Sequence, residues 1–164
     1  MTKFYNLKHL QQYLERNANQ VFSDKKIESI LAKTMTQAVY DVVYSKYMPI
    51  EYKRRRNDGG LSDVRNMKIT KVEVKNGKVT VLFENLTKGQ THYTPIYTYN
   101  VDSKNNEFIT DTINDGISED WYQQGRWSQA RPFVQETIAR IEANPSYLIE
   151  AIKSSYRKLG FEVR

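Results

Sequence analysis

Two histidines, His9 and His92, no cysteine and 19 acidic side chains are the raw material for catalysis or metal binding in this chain of 164 residues. The histidines are distant in sequence, and without cysteine there is neither a disulfide framework nor a thiolate site, so zinc chemistry and Cys/His catalysis are not expected. Asp111 and Asp115 stand four apart and would share a divalent ion only on a helix. The surrounding Thr-Asp-Thr-Ile-Asn-Asp-Gly run favours strand and turn instead. Asn114-Asp115-Gly116 has the glycine of a phosphate loop but neither its lysine nor a following helical stripe. No nucleophile stands beside a base in a recognisable motif. The residues therefore predict no enzyme, no metal and no cofactor.

The remaining chemistry is electrostatic. In Tyr47-Met-Pro-Ile-Glu-Tyr-Lys-Arg-Arg-Arg-Asn-Asp-Gly-Gly-Leu-Ser-Asp63, four consecutive cations, Lys53, Arg54, Arg55 and Arg56, run into Asn57-Asp58-Gly59-Gly60. Glycine supplies positive φ there, and the Asn and Asp side chains fold back on the backbone. Pro49 stops whatever helix precedes it. So much charge with so little apolar content predicts an exposed basic loop over 48–66, which either lies idle in water or meets a partner. Clustered cations of this kind, with Arg65 nearby, would bind phosphates through counterion release and read backbone rather than bases.

Charge is segregated along the chain. Residues 45–78 carry ten cations against four anions, a surplus equal to the whole net charge of +6. Residues 101–120 carry six acids against Lys104 alone. Such a molecule could meet a polyanion through the first segment or stack head to tail with its own copies. Solvated surface is the ordinary fate of such runs.

The elements that must position the loop follow from periodicity, within a single domain spanning 1–164. Leu7, Leu10 and Leu14 mark an N-terminal helix within 1–22. Ser23 and Asp24 offer caps for a second helix over 25–47, with apolar positions at 27, 30, 31, 35, 38, 39, 42 and 43. Residues 67–85 read as a β-hairpin about Asn76-Gly77, with Val72, Val74, Val79, Val81 and Phe83 on one face and Lys71, Glu73, Lys75, Lys78, Thr80 and Leu82 on the other. The Thr/Tyr-rich stretch 86–112 predicts a projecting flap with strands near 96–101 and 107–113. Its Tyr93, Tyr97 and Tyr99 are candidates for subunit contact, or alternatively for base stacking. Trp121 and Trp127 are expected core anchors. Arg131-Pro-Phe133 and Asn144-Pro145 each open a helix, with Phe133, Val134, Ile138 and Ile141 and then Leu148, Ile149, Ile152, Tyr156 and Leu159 as stripes, the last ended by Gly160. The fold class expected is α/β (α+β): a twisted, mainly antiparallel sheet with a long N-terminal helix and C-terminal helices packed on it, plus a projecting loop or flap. No run of about 18 apolar residues exists, and a soluble protein made in a cytoplasm is expected.

This order of features, with its Tyr-Lys-Arg-Arg…Gly-Gly-Leu-Ser-Asp run, Asp115-Gly116-Ile117, Trp127 and Arg131-Pro-Phe133, resembles the head–tail joining or tail-completion neck proteins of long-tailed double-stranded DNA phages. The resemblance spans about 25–160. It implies a virion structural subunit that closes into a homo-oligomeric ring, commonly of six, between the tail tube protein and the head connector or stopper protein. Double-stranded DNA would pass through the lumen, and no membrane is involved. Lys53, Arg54, Arg55, Arg56 and Arg65 would then face DNA or a neighbouring ring, and the flap would order on assembly. The alternative is a stand-alone, sequence-independent nucleic-acid-binding protein.

Overall fold

The computed structural model describes residues 6–46, 48, 54–75, 78–89, 109–116 and 129–162. These residues form an α+β fold in which helices pack on one antiparallel hairpin. Helix α1 (Leu7–Phe22) begins at Asn6, whose side chain accepts from the His9 amide at 2.9 Å. Its buried residues are Ala18 and Val21, near its C-terminal end, and Leu7 is 83% exposed. The leucine stripe identified the helix but not the part of it that packs.

A two-residue corner, Ser23-Asp24, turns the chain into α2 (Lys25–Ala38). Asp24 caps α2 through the Lys26 amide, as its sequence position predicts. It also accepts from Ser155 Oγ at 2.6 Å and from Lys158 Nζ at 2.7 Å, which ties the last helix to this corner. These donors, Lys158 first, hold the Asp24 carboxyl well below the usual carboxylate range against the opposing cost of burial.

The predicted stripe of α2 is fully realised, since all eight of its apolar positions are buried or half-buried. The rod does not keep α geometry to its end. Residues Val39–Tyr44 form a π-helical segment, closed by the Ser45 amide reaching the Tyr40 carbonyl at 2.9 Å.

Strands β1 (Met67–Lys75) and β2 (Lys78–Asn85) pair in the predicted register, Lys75 opposite Lys78 and Val74 opposite Val79. Exposure alternates as expected: Val72, Val74, Val79, Val81 and Phe83 are half-buried, and the opposite face is wet. The Asn76-Gly77 turn lies outside the described residues. A bulge interrupts the ladder between Ile69 and Lys71. Beside it, Glu28 of α2 accepts from the Ile69 amide at 3.1 Å and from Lys68 Nζ at 3.0 Å, so a helix side chain completes the strand's hydrogen bonding.

The expected strand over 107–113 is corrected by the structure: residues Ile109–Asp115 form the short helix α3. Ile113 enters the core, Ile109 packs against it, and Thr110 Oγ1 donates to the Asn85 carbonyl at 2.6 Å. Tertiary contacts thus override the β-propensity of isoleucine and threonine. Gly116, at φ +75°, ends the helix. The predicted flap over 86–112 is corrected at both ends, since Thr87 is buried and α3 is packed down; 90–108 lie outside the described residues, as do 117–128 with both tryptophans.

Helix α4 (Phe133–Ala143) starts directly after Pro132, with Phe133 fully buried. Thr137 is buried and Ile138 is half-exposed at 50%, so the inward face is rotated from the predicted one. Helix α5 (Ser146–Lys158) buries Ala151 and Ser155, and Ile149 is exposed at 44%. It ends in a Schellman arrangement: Phe161 N–H reaches the Tyr156 carbonyl, Gly160 N–H reaches that of Arg157, and Gly160 has φ +87°.

Two apolar clusters result. One joins the C-terminal half of α2 and its π extension to Leu61, Met67, Ile113 and Phe133; the other joins Val21, Ile27, Leu31 and Ala151. Phe83 of β2 packs against both.

Candidate interaction surface: a hydrogen-bonded basic loop

The Asp58-to-Asn66 half of the basic loop is anchored in the protein. Gly60, Leu61, Ser62 and Asp63 are all buried, which corrects the expectation that the whole loop stands in water. Asp63 is the organising residue, only 2% exposed. Its carboxylate accepts from the Gly59 amide at 2.7 Å and the Arg65 amide at 2.9 Å, capping the single 3₁₀ turn Val64–Asn66. Arg65 adds a two-pronged contact, with Nε at 2.9 Å from one oxygen and Nη2 at 2.6 Å from the other. The Arg65 guanidinium, followed by the two amides, holds the Asp63 carboxyl well below the usual range although burial pushes the other way. Reciprocally, Asp63 raises the pKa of Arg65.

Distant elements complete the anchoring. Tyr40 Oη donates to Asn57 Oδ1 at 3.3 Å, and Ser62 Oγ donates to the same oxygen at 2.9 Å. The Ser62 amide reaches Tyr44 Oη at 3.2 Å, and Thr36 Oγ1 reaches the Ser62 carbonyl at 3.3 Å. Below the loop, Asn85 Nδ2 donates to the Leu61 carbonyl at 2.8 Å, and Thr87 Oγ1 donates to that of Gly60 at 3.2 Å. Gly60 has no alternative residue in this backbone, because a Cβ would lie 2.5 Å from the Arg56 carbonyl oxygen.

The five candidate cations have different fates. Lys53 lies outside the described residues. Arg54 stacks over Tyr44 with its guanidinium carbon 4.6 Å from the ring centroid, and donates to the Tyr44 carbonyl at 3.1 Å. Arg55 donates to the Lys88 carbonyl. Arg65 pairs with Asp63 and, at 3.5 Å, with Asp58, although its side chain remains 68% exposed. Arg56 is exposed on a left-handed backbone, φ +48°, and makes no ion pair among the described residues. Tyr93, Tyr97 and Tyr99 lie outside the described residues.

The sequence reading placed Asn57 and Ser62 in the loop but missed Thr36, Tyr40, Tyr44, Asn85 and Thr87 as parts of this site. The one local signal was Asp63 two residues before Arg65, an Asx-type cap pattern. Among the described residues no group of three or more His, Cys, Asp or Glu side chains gathers at metal-binding distance, and no helix is long and apolar enough to cross a membrane.

Fold and site together define a small α+β protein whose most elaborately bonded feature is a cationic loop. The chain belongs to the YomN family, whose model matches residues 6–158. This membership is consistent with a phage-related protein. Neither the curated proteins nor the solved structures contain a match to it.

Proposed function

We propose that this protein is a structural, non-catalytic subunit of a phage neck: a homo-oligomeric ring that joins the tail tube to the head connector, with double-stranded DNA in its lumen. The observation that carries this reading is the construction of the basic loop. A buried carboxylate, two helix tyrosines and the base of the hairpin hold it in place, while Arg56 stays exposed. A loop held from so many sides loses little entropy when it meets a partner, which suits a permanent joint. Family membership supports a phage setting.

Within this reading Arg54 and Arg65 are positioning residues, and Arg55 and Arg56 present charge to DNA or to the acidic surface of an adjoining ring. The double variant Arg55→Ala/Arg56→Ala should melt like the parent protein yet reduce the joining of heads to tails when it replaces the parent in infected cells. An undiminished yield of joined particles would remove the loop from the contact. Tight binding of short duplex DNA by a monomer, weakening steeply with salt, would favour the stand-alone nucleic-acid-binding reading.

A further inference from the structure

Two like-charge pairs face solvent at separate places on the molecule. Lys75 and Lys78 are directly opposite each other at the end of the hairpin, both exposed. Like charges in that relation repel. Lys71, the next lysine on the face, is paired with Glu73 at 3.2 Å, whereas Lys75 and Lys78 make no ion pair among the described residues. Asp111 and Asp115 stand at i and i+4 on α3, both exposed and likewise without an ion pair there. That arrangement also repels, and Asp115 in the last turn additionally opposes the helix dipole. Among the described residues no ion pair offsets either arrangement, and Asp115 accepts only from Asn114 Nδ2, at 2.6 Å.

The two pairs cannot relieve each other within one chain. Helix α3 is tethered to Asn85 through Thr110, and Asn85 is at the opposite end of β2 from Lys78. At about 3.3 Å per residue the eight-residue strand spans roughly 23 Å between those ends. That is more than twice the screening length of about 8 Å at physiological salt.

We infer that the hairpin end of one copy, through Lys75 and Lys78, docks on the Asp111/Asp115 face of α3 in the next copy. This deepens the ring reading and rests on it. Repeated head to tail from copy to copy, such a contact closes a ring or propagates as a filament, whereas two copies docked reciprocally would stop at a two-fold dimer; the ring reading selects the head-to-tail arrangement, and native mass spectrometry of the parent separates the two.

The test is a charge swap on the full chain, read by sedimentation at low salt and by native mass spectrometry. All four side chains are exposed, so the variants should keep the parent's circular dichroism and melting, which is measured first. Lys75→Glu/Lys78→Glu and Asp111→Lys/Asp115→Lys should each weaken self-association at least about tenfold. An equimolar mixture of the two should recover it, since each supplies the surface the other lost. Parent-like association of either double variant, or a mixture that fails to recover, overturns the contact while leaving the ring reading intact. A parent protein that stays monomeric at low salt, alone and with tail tubes, removes the ring and the contact together. If Lys75→Glu/Lys78→Glu abolishes binding to a short DNA duplex but leaves self-association unchanged, the lysines serve phosphates and the inference fails.

Discussion

Asp63 illustrates how one buried side chain can organise a loop made mostly of cations. Its carboxylate satisfies two backbone amides and a guanidinium that would otherwise have to find water. Asp63→Ala should cost about 2–3 kcal/mol, the sum of a lost cap and of hydrogen bonds to a charged group, measured by urea unfolding. The same site sets a pH dependence. The folded-state pKa of Asp63 is depressed, so its contribution is complete above the unfolded value of about 3.9 and is lost as pH falls through the lower folded value. The stability advantage of the parent over Asp63→Asn should therefore be full near about pH 6 and shrink progressively below about pH 4. Gly60→Ala should destabilise by about 1–3 kcal/mol, since the added carbon meets backbone rather than a movable side chain. Little of this was legible in the sequence. Gly-Gly-Leu-Ser-Asp sits beside four cations and reads as solvent-exposed, and the residues that bury it come from 36, 40, 44, 85 and 87, too distant for any local pattern to reveal.

At the scale of elements, legibility followed periodicity. The α2 stripe and the hairpin register were readable because 3.6- and 2-residue repeats and an Asn-Gly turn are local signals. Helix α3 was not, because seven residues give too few turns to establish a period and its stability comes from Asn85, Val134 and the core. The π segment was likewise hidden, for its apolar positions continue the α2 stripe. It sets Tyr40 and Tyr44 edge to face, 5.1 Å apart, with both hydroxyls on the basic loop. The corner at Asp24 carries the clearest element-level prediction. Asp24→Ala removes the α2 cap and frees Ser155 and Lys158 of α5, and should cost about 2 kcal/mol, read as a lowered melting temperature. Gly160→Ala meets no atom within 4 Å, so its cost of about 1 kcal/mol should be purely conformational.

For the whole molecule, segregation of charge is the dominant feature. The cationic segment 45–78 contains the loop, β1 and the first residue of β2, and the acidic segment 101–120 contains α3. Both were visible in the sequence as charge runs; the structure adds that Thr110 ties α3 to Asn85, at the end of β2 opposite Lys78, so the hairpin lysines and the α3 carboxylates are too far apart to pair within one chain. Association driven this way should fall steeply as salt rises from low to physiological strength, where the screening length shortens to about 8 Å. The central claim is that the protein works as a ring in a phage neck, and electron microscopy of tails assembled with and without it tests that most directly. The account predicts a rotationally symmetric density at the head-proximal end of the tail tube, present only when the protein is supplied. Tails of identical appearance in both preparations would contradict it.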